Sequence, residues 1–468
     1  MTPDSFGLFL YELRRRRGLS QKRLGELLGL SGKAVSKWEC GLSMPQSNML
    51  PRLAEVLNVS LDELLSCGTR DSVRQGSNLM KNEFWKRVYT ALHEKYGENP
   101  PLSIINRLET ERTELQTPQF YFAMQILTEL KELADSSGHH FTPYGYRTYG
   151  FALYLLGFTP INPLPAHYYC PKCRTVEFVR DCADGWDLMS KPCACGASMT
   201  GDGHNIPWDI TVTFPEFYSF LTDRLFCEKA RQFLADYPGA VKTPLPNNSN
   251  FFNYTFSEQQ IKINPIAQPI REAMYLMEQA TNTSASRIDF RTPEILNSLL
   301  TGDCEGIPWI GFPYARQVIA ECQPKTFAHL AKITGMICNI GTWLDNGQDL
   351  LKQGIALEQL ITCREDIYMT IRDAMIHQEC TDFGFAVTVT EETRRGHYLK
   401  TGMDALTRKR LLELDLPEWF IGSLCKLKHL TSKHDNIRYT RDFMIFQWYR
   451  LHCPGAFAEA MKVHDEMN

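Results

Sequence analysis

The stretch Asn162-Pro163-Leu164-Pro165-Ala166-His167-Tyr168-Tyr169-Cys170-Pro171-Lys172-Cys173 opens the segment on which the reading of the whole chain turns. After it come Cys193-Ala194-Cys195-Gly196, then Asp202-Gly203-His204-Asn205-Ile206-Pro207, and then Trp208-Asp209-Ile210-Thr211-Val212-Thr213-Phe214. Four thiolates offered by two short loops suit a tetrahedral zinc in a closed, structural site. Cys170, Cys173, Cys193 and Cys195 are the expected ligands, with buried free thiols as the plainer alternative. The second arm is the shorter one, Cys-x-Cys, so Cys182 and His167 stand as substitutes. Further along, Ile210, Val212 and Phe214 alternate with polar residues, which is the period of a half-buried strand.

The 468 residues exceed one ordinary core and imply two or three domains. With 43% hydrophobic and 22% charged residues the chain has a soluble, globular composition, and a formal net charge of -4 confines any nucleic-acid surface to a local patch. The N-terminus has apolar residues first and arginines after them, the reverse of a secretory signal, and no apolar run reaches membrane-spanning length. A cytoplasmic location without membrane contact is expected. The 15 cysteines are then mostly reduced.

Toward the N-terminus, apolar residues recur at helical spacing as Phe6, Phe9, Leu10, Leu13; Leu24, Leu27, Leu28; Val35, Trp38; Leu50, Leu53, Ala54, Leu57; and Leu61, Leu64, Leu65. This pattern predicts five short helices, with Ser20 and Ser31 at N-cap positions and Gly29 closing one helix. Leu19 to Ser31, with Ala34-Val35-Ser36-Lys37-Trp38-Glu39, resembles the Cro/repressor-type helix-turn-helix family. The resemblance implies that Gly32 to Cys40 enters the major groove of double-stranded DNA, with Lys33, Ser36 and Lys37 outward and Gln21 placed to touch a phosphate. Gly32 departs from the pattern by offering no side chain there. Residues 1–66 form this domain. Residues 67–80 read as a flexible connector that lets the two parts move independently.

From Lys81 on, the chain resembles the PolC-type DNA polymerase III alpha subunit. The resemblance rests on Asn162 to Cys173, Asp202 to Pro207, Pro324-Lys325-Thr326-Phe327, Trp343-Leu344-Asp345-Asn346-Gly347-Gln348, Cys363-Arg364-Glu365-Asp366-Ile367 and Leu416-Pro417-Glu418-Trp419-Phe420-Ile421, in the family's order. It implies a palm-like remnant with the zinc cluster over 81–240, a linker or remnant of deleted fingers over 241–273, and a helical region over 274–468. The expected fold class is α+β, mainly α. Lys426, Lys428, Lys433 and Arg438 form a basic cluster near the end.

Nucleotidyl transfer needs magnesium ions shared by paired carboxylates. The family's phrase Pro-Asp-Ile-Asp-Leu-Asn-Phe falls on Trp208 to Phe214, where Asp209 matches the first carboxylate and Thr211 replaces the second. The family's phosphate loop, Gly-Ser-Arg-Gly-Ser-Val-Gly, falls on Tyr144-Gly145-Tyr146-Arg147-Thr148-Tyr149-Gly150, where tyrosines crowd a place that favours small residues. Asp209 is then vestigial, no catalytic residue is expected, and neither is magnesium. These features point to a regulatory or mobile-element DNA-binding protein with a polymerase-derived body. Two alternatives stand beside it. One is a working, shortened polymerase in which Asp187, Asp202 or Asp223 supplies the second carboxylate. The other is a polymerase mimic that binds replisome proteins. A homodimer is a further partner that the first resemblance allows.

Overall fold

The computed structural model describes residues 3–39, 42–61, 64, 70–145, 149–210, 217–245, 248–257 and 259–467. It divides into two compact units. The first comprises Met1–Thr90, Arg112–Thr148 and Thr213–Arg271, and the second Ala91–Glu111, Tyr149–Val212 and Glu272–Asn468.

The first unit begins with helices α1 (Pro3–Arg16), α2 (Gln21–Leu28), α3 (Gly32–Glu39) and α4 (Leu50–Leu57). The periodic residues Phe6, Leu10, Leu24, Leu28, Val35, Trp38, Leu53 and Leu57 close into one core, as their spacing predicts. The fifth expected helix falls partly outside the described residues. Ser20 caps α2 by accepting from the Arg23 amide at 3.1 Å, and Gly29, at φ 73°, ends it. α2 and α3 pass so closely that a Cβ on Gly25 would lie 2.9 Å from the Leu30 oxygen and the Gly32 nitrogen.

Of the expected connector at 67–80, residues 67–69 lie outside the described residues, and from Arg70 onward the backbone is helical, as helix α5 (Arg70–Tyr96). α6 (Leu102–Glu114) and α7 (Pro118–Ser136) come next. The first domain also makes contacts outside its own helices. Tyr11 of α1 is buried, donates its hydroxyl to Glu129 of α7 at 3.1 Å, and sets its ring 4.9 Å from Tyr237. Arg15 pairs with the same carboxylate at 3.3 Å.

Residues 241–273, expected to be a linker or a remnant of deleted fingers, are no linker where they are described: with two earlier strands they complete a five-stranded sheet. Its strands are β1 (Thr142–Gly145), β6 (Phe217–Thr222), β7 (Ala240–Leu245), β8 (Asn248–Phe256) and β9 (Ile261–Ala267), in the order β1-β6-β9-β8-β7. Only β6 and β9 run parallel, with Phe217 opposite Lys262 and Thr222 opposite Ala267. Pro244 on β7 and Asn248 and Asn250 on β8 thus belong to two paired antiparallel strands, and Pro244 sits on an edge strand, where a missing amide donor is tolerated.

The second unit holds a small sheet in the order β3-β2-β5-β4, from β2 (His167–Tyr169), β3 (Val176–Phe178), β4 (Lys191–Pro192) and β5 (Ser198–Asp202). The short helix α8 (Phe151–Leu155) precedes it, and helices dominate from Pro269 to Met467. At their centre the long helix Lys433–His452 packs on Phe327–Cys338, where Thr334 and Thr440 share a buried hydrogen bond of 2.7 Å. The α+β, mainly α expectation is met.

Candidate metal and nucleic-acid sites

On α3, Val35 and Trp38 are buried while Lys33 and Lys37 are exposed and Ser36 is half-buried, so the expected contact residues lie away from the core. Lys22 and Arg23 at the start of α2 are exposed too. Gln21 differs from expectation. Its amide donates to Glu39 at 2.8 Å, and Glu39 also accepts from Arg14 at 2.5 and 3.0 Å. Arg14 and Glu39 are both buried, and a buried ion pair needs every further donor it can recruit. Gln21 is half-buried, and its side-chain amide is used inside the domain. The glycine at position 32 also finds its reason, since a Cβ there would stand 3.0 Å from the Lys22 backbone.

The cysteines converge. Cys170 and Cys173 lie on the loop between β2 and β3, and Cys193 and Cys195 on the loop between β4 and β5. Each loop is closed by a backbone hydrogen bond, Cys170 to Thr175 at 3.0 Å and Cys193 to Ala197 at 2.7 Å. In each, the residue after the second cysteine is left-handed, Arg174 at φ 63° and Gly196 at φ 83°. The four sulfurs lie within 4.8 Å of one another, with Cys170–Cys195 and Cys173–Cys193 both at 3.5 Å. Zinc–sulfur bonds of about 2.3 Å give tetrahedron edges of about 3.8 Å, so this cluster could hold such an ion. The contracted second arm suffices. The substitutes are engaged elsewhere, Cys182 donating to the Asp184 carbonyl at 3.0 Å and His167 meeting Pro165 and Tyr96 at 2.7 and 3.3 Å. Thr175, whose hydroxyl lies 3.1 Å from Cys173, draws that thiol down to about 6.

The expected strand at Trp208–Phe214 is not found where it is described. Trp208, Asp209 and Ile210 form a bend and turn, residues 211–216 lie outside the described residues, and the next strand, β6, starts at Phe217. Ile210 is buried among Tyr368, Ile371 and Leu424, so its alternation partner is a helical core rather than a sheet face. Asp209 is exposed and accepts from Tyr368 at 2.8 Å. The three carboxylates considered as its companion have other work. Asp187 accepts the Phe327 and Ala328 amides at 2.6 and 3.0 Å, capping that helix, and burial raises its pKa. Asp223 caps the helix Arg224–Ala235 and meets His139 at 3.1 Å. Asp202 accepts from Lys95, Tyr154 and Asn162 at 2.9, 2.7 and 2.9 Å. Burial pushes the Asp202 pKa up, but Lys95 and these donors outweigh it and hold the carboxyl well below the usual range. Among the described residues, the cysteine cluster is the convergent group of three or more metal-ligating side chains.

Of residues 144–150, where the resemblance put the family's phosphate loop, 146–148 lie outside the described residues. The helix start just beyond them is filled from within. The Phe151 and Ala152 amides, which open α8, donate to the two oxygens of Glu111 at 2.8 and 3.0 Å. Glu111 is fully buried and paired with Arg107 at 2.7 Å. Tyr149 stacks on His434 with centroids 4.1 Å apart and donates to Asp435 at 3.2 Å. Burial holds His434 down at about 3, partly offset by Asp435. Of the expected basic cluster near the end, Arg438 is buried on Asp435 at 3.1 Å, whereas Lys426 and Lys428 are exposed and Lys426 donates to the Asp345 carbonyl. The sequence reading missed Glu111. The Arg107-x-x-x-Glu111 spacing of a helix-surface pair was visible, but its target lies 40 residues away.

Residues 10–64 match the family model of a helix-turn-helix domain, HTH_3. The chain is also similar to DNA polymerase III PolC-type proteins: 22% identical over 480 residues to that of Clostridium perfringens, covering 81% of this chain and 32% of the relative, and 24% identical over 494 residues to that of Thermotoga maritima, covering 83% and 35%. The chain spans about a third of the length of these curated relatives. A helix-turn-helix domain thus stands in front of a distantly PolC-like body. No helix among the described residues is long and apolar enough to cross a membrane.

Proposed function

We propose that this chain is a DNA-binding protein of regulatory or mobile-element type, in which α3 reads double-stranded DNA and the PolC-like body no longer transfers nucleotides. The observation that carries the second half is Glu111. A phosphate loop works by aiming backbone amides at an anion, and here the amides that open α8 already hold a carboxylate of the same chain. The acidic pair is absent in either register of the family phrase. Aligned on Trp208, Thr211 takes the second carboxylate's place. Aligned instead on Pro215-Glu216-Phe217-Tyr218, it is Tyr218, which is fully buried on β6. The cysteine cluster takes zinc as a staple between two loops.

The first half rests on Lys33 and Lys37. Exposed cations on the outward side of α3 hold phosphates, and Ser36 between them is the hydrogen-bonding residue nearest the bases. Binding of the full chain to a random-sequence duplex should weaken steeply with salt, and Lys33→Ala with Lys37→Ala should reduce both affinity and salt slope. Unchanged duplex binding in that double variant would overturn the assignment.

A further inference from the structure

Two cavities of about 460 and 430 Å³ in the second unit share Trp186, Asp289 and Arg291 in their walls and so adjoin. Lys325 stands on the first, Arg287 and Arg441 on the second. Four cations thus face two carboxylates, and both carboxylates are engaged. Asp187 holds the Phe327 and Ala328 amides, and Asp289 pairs with Arg291 at 3.2 Å. Arg287, Arg291 and Lys325 are exposed, while Arg441 is largely covered and lies 5.9 Å from the centre of the Phe290 ring. The Thr292 hydroxyl in the first cavity is buried with no hydrogen-bond partner.

The shared wall is aromatic. Trp186 is half-buried, with its ring edge-on to Phe290 and Phe327 at 5.2 and 5.0 Å, which fixes the indole at the junction of the cavities. Consecutive cation-lined hollows joined at an aromatic ring match the chemistry of a single nucleic-acid strand, whose phosphates need positive charge and whose bases need a stacking surface. A lone anion would need only one hollow. We infer that these paired cavities bind a short segment of single-stranded DNA, with phosphates on Arg287, Arg291 and Lys325 and a base against Trp186. The site is separate from the duplex-reading residues of α3 and does not depend on them.

The test is fluorescence anisotropy of the full chain with a labelled oligothymidine of about eight nucleotides. Arg287→Glu with Arg291→Glu, both exposed and therefore compatible with folding, should weaken binding tenfold or more and flatten its salt dependence. Lys33→Ala with Lys37→Ala should leave it unchanged. Thymidine monophosphate at equal concentration should not displace the strand. Three results would overturn the inference: wild-type affinity in the arginine variant, loss of oligothymidine binding in the lysine variant, or equal displacement by the mononucleotide. Lys325→Glu is the independent second variant, and it should weaken binding in the same direction.

Discussion

The two helices at which this chain would meet phosphate, α3 and α8, differ in what stands beside them. α3 presents Lys33 and Lys37 to solvent, and the nearby buried carboxylate, Glu39, is satisfied internally by Arg14 and Gln21. α8 has its first two amides taken by Glu111, and the tyrosine that leads into it is stacked on His434. On the proposed reading, a helix start that would bind an anion is closed while the helix itself is kept. A carboxylate tethered in the same chain satisfies the amides at no association cost, and a diffusing phosphate has to displace it.

Each region responds to removal of what holds it. The largest effect is expected from zinc. Metal binding in small zinc domains is worth on the order of 10 kcal/mol, so Cys170→Ser or chelation should release about one zinc per chain and unfold the sheet β3-β2-β5-β4, leaving α1 to α4 folded. Elemental analysis and hydrogen exchange read both. A metal-free chain with full protection at 167–202 would refute it.

Next in size is Glu111→Ala, which strips Arg107 of its buried partner and α8 of its cap. Breaking a buried pair costs about 3–5 kcal/mol. Chemical denaturation should show that loss in the second unit, with duplex binding through α3 unaltered. Unchanged stability would mean that the loop is not closed by this carboxylate.

The third test is pH. His434 is held neutral, its pKa lowered from 6.5 to about 3. The unfolded chain therefore binds the extra proton between those values. The contribution is fully present above about pH 6.5 and is lost as the pH falls toward the folded value. Denaturation midpoints measured across that window should fall with pH, and His434→Gln should flatten the curve. A flat wild-type curve would contradict the burial argument.

The smallest effect is expected at Tyr11→Phe, which deletes the hydrogen bond to Glu129. It should cost about 0.5–1.5 kcal/mol and raise proteolytic cleavage between α4 and α5. Cleavage unchanged from wild type would show that this contact does not anchor the helix-turn-helix.

Local features were legible in the sequence. The helix-turn-helix is written in contiguous spacing, so Phe6 through Leu57 could be placed on one core, and the knuckles are written in pairs of cysteines a few residues apart. Of the alternating Ile210, Val212 and Phe214, only Ile210 is described, and it faces helices, which a two-residue period by itself does not foretell. The hairpin β7–β8 was hidden behind Pro244 and its asparagine neighbours, which signal a turn as readily as a linker. Gln21 and Glu111 were out of reach for a different reason. Their partners are fixed by packing between distant segments, and sequence spacing carries no trace of it.

On the proposed reading the open helix α3 binds DNA, while α8, its first two amides taken by Glu111, no longer serves polymerisation. Primer extension by the full, zinc-loaded chain on a primed template, with magnesium or manganese and all four deoxynucleoside triphosphates, tests it most directly. Duplex binding in the same tube with no extension of the primer is the expected result. Incorporation that disappears with Asp209→Ala or Glu216→Ala would contradict it.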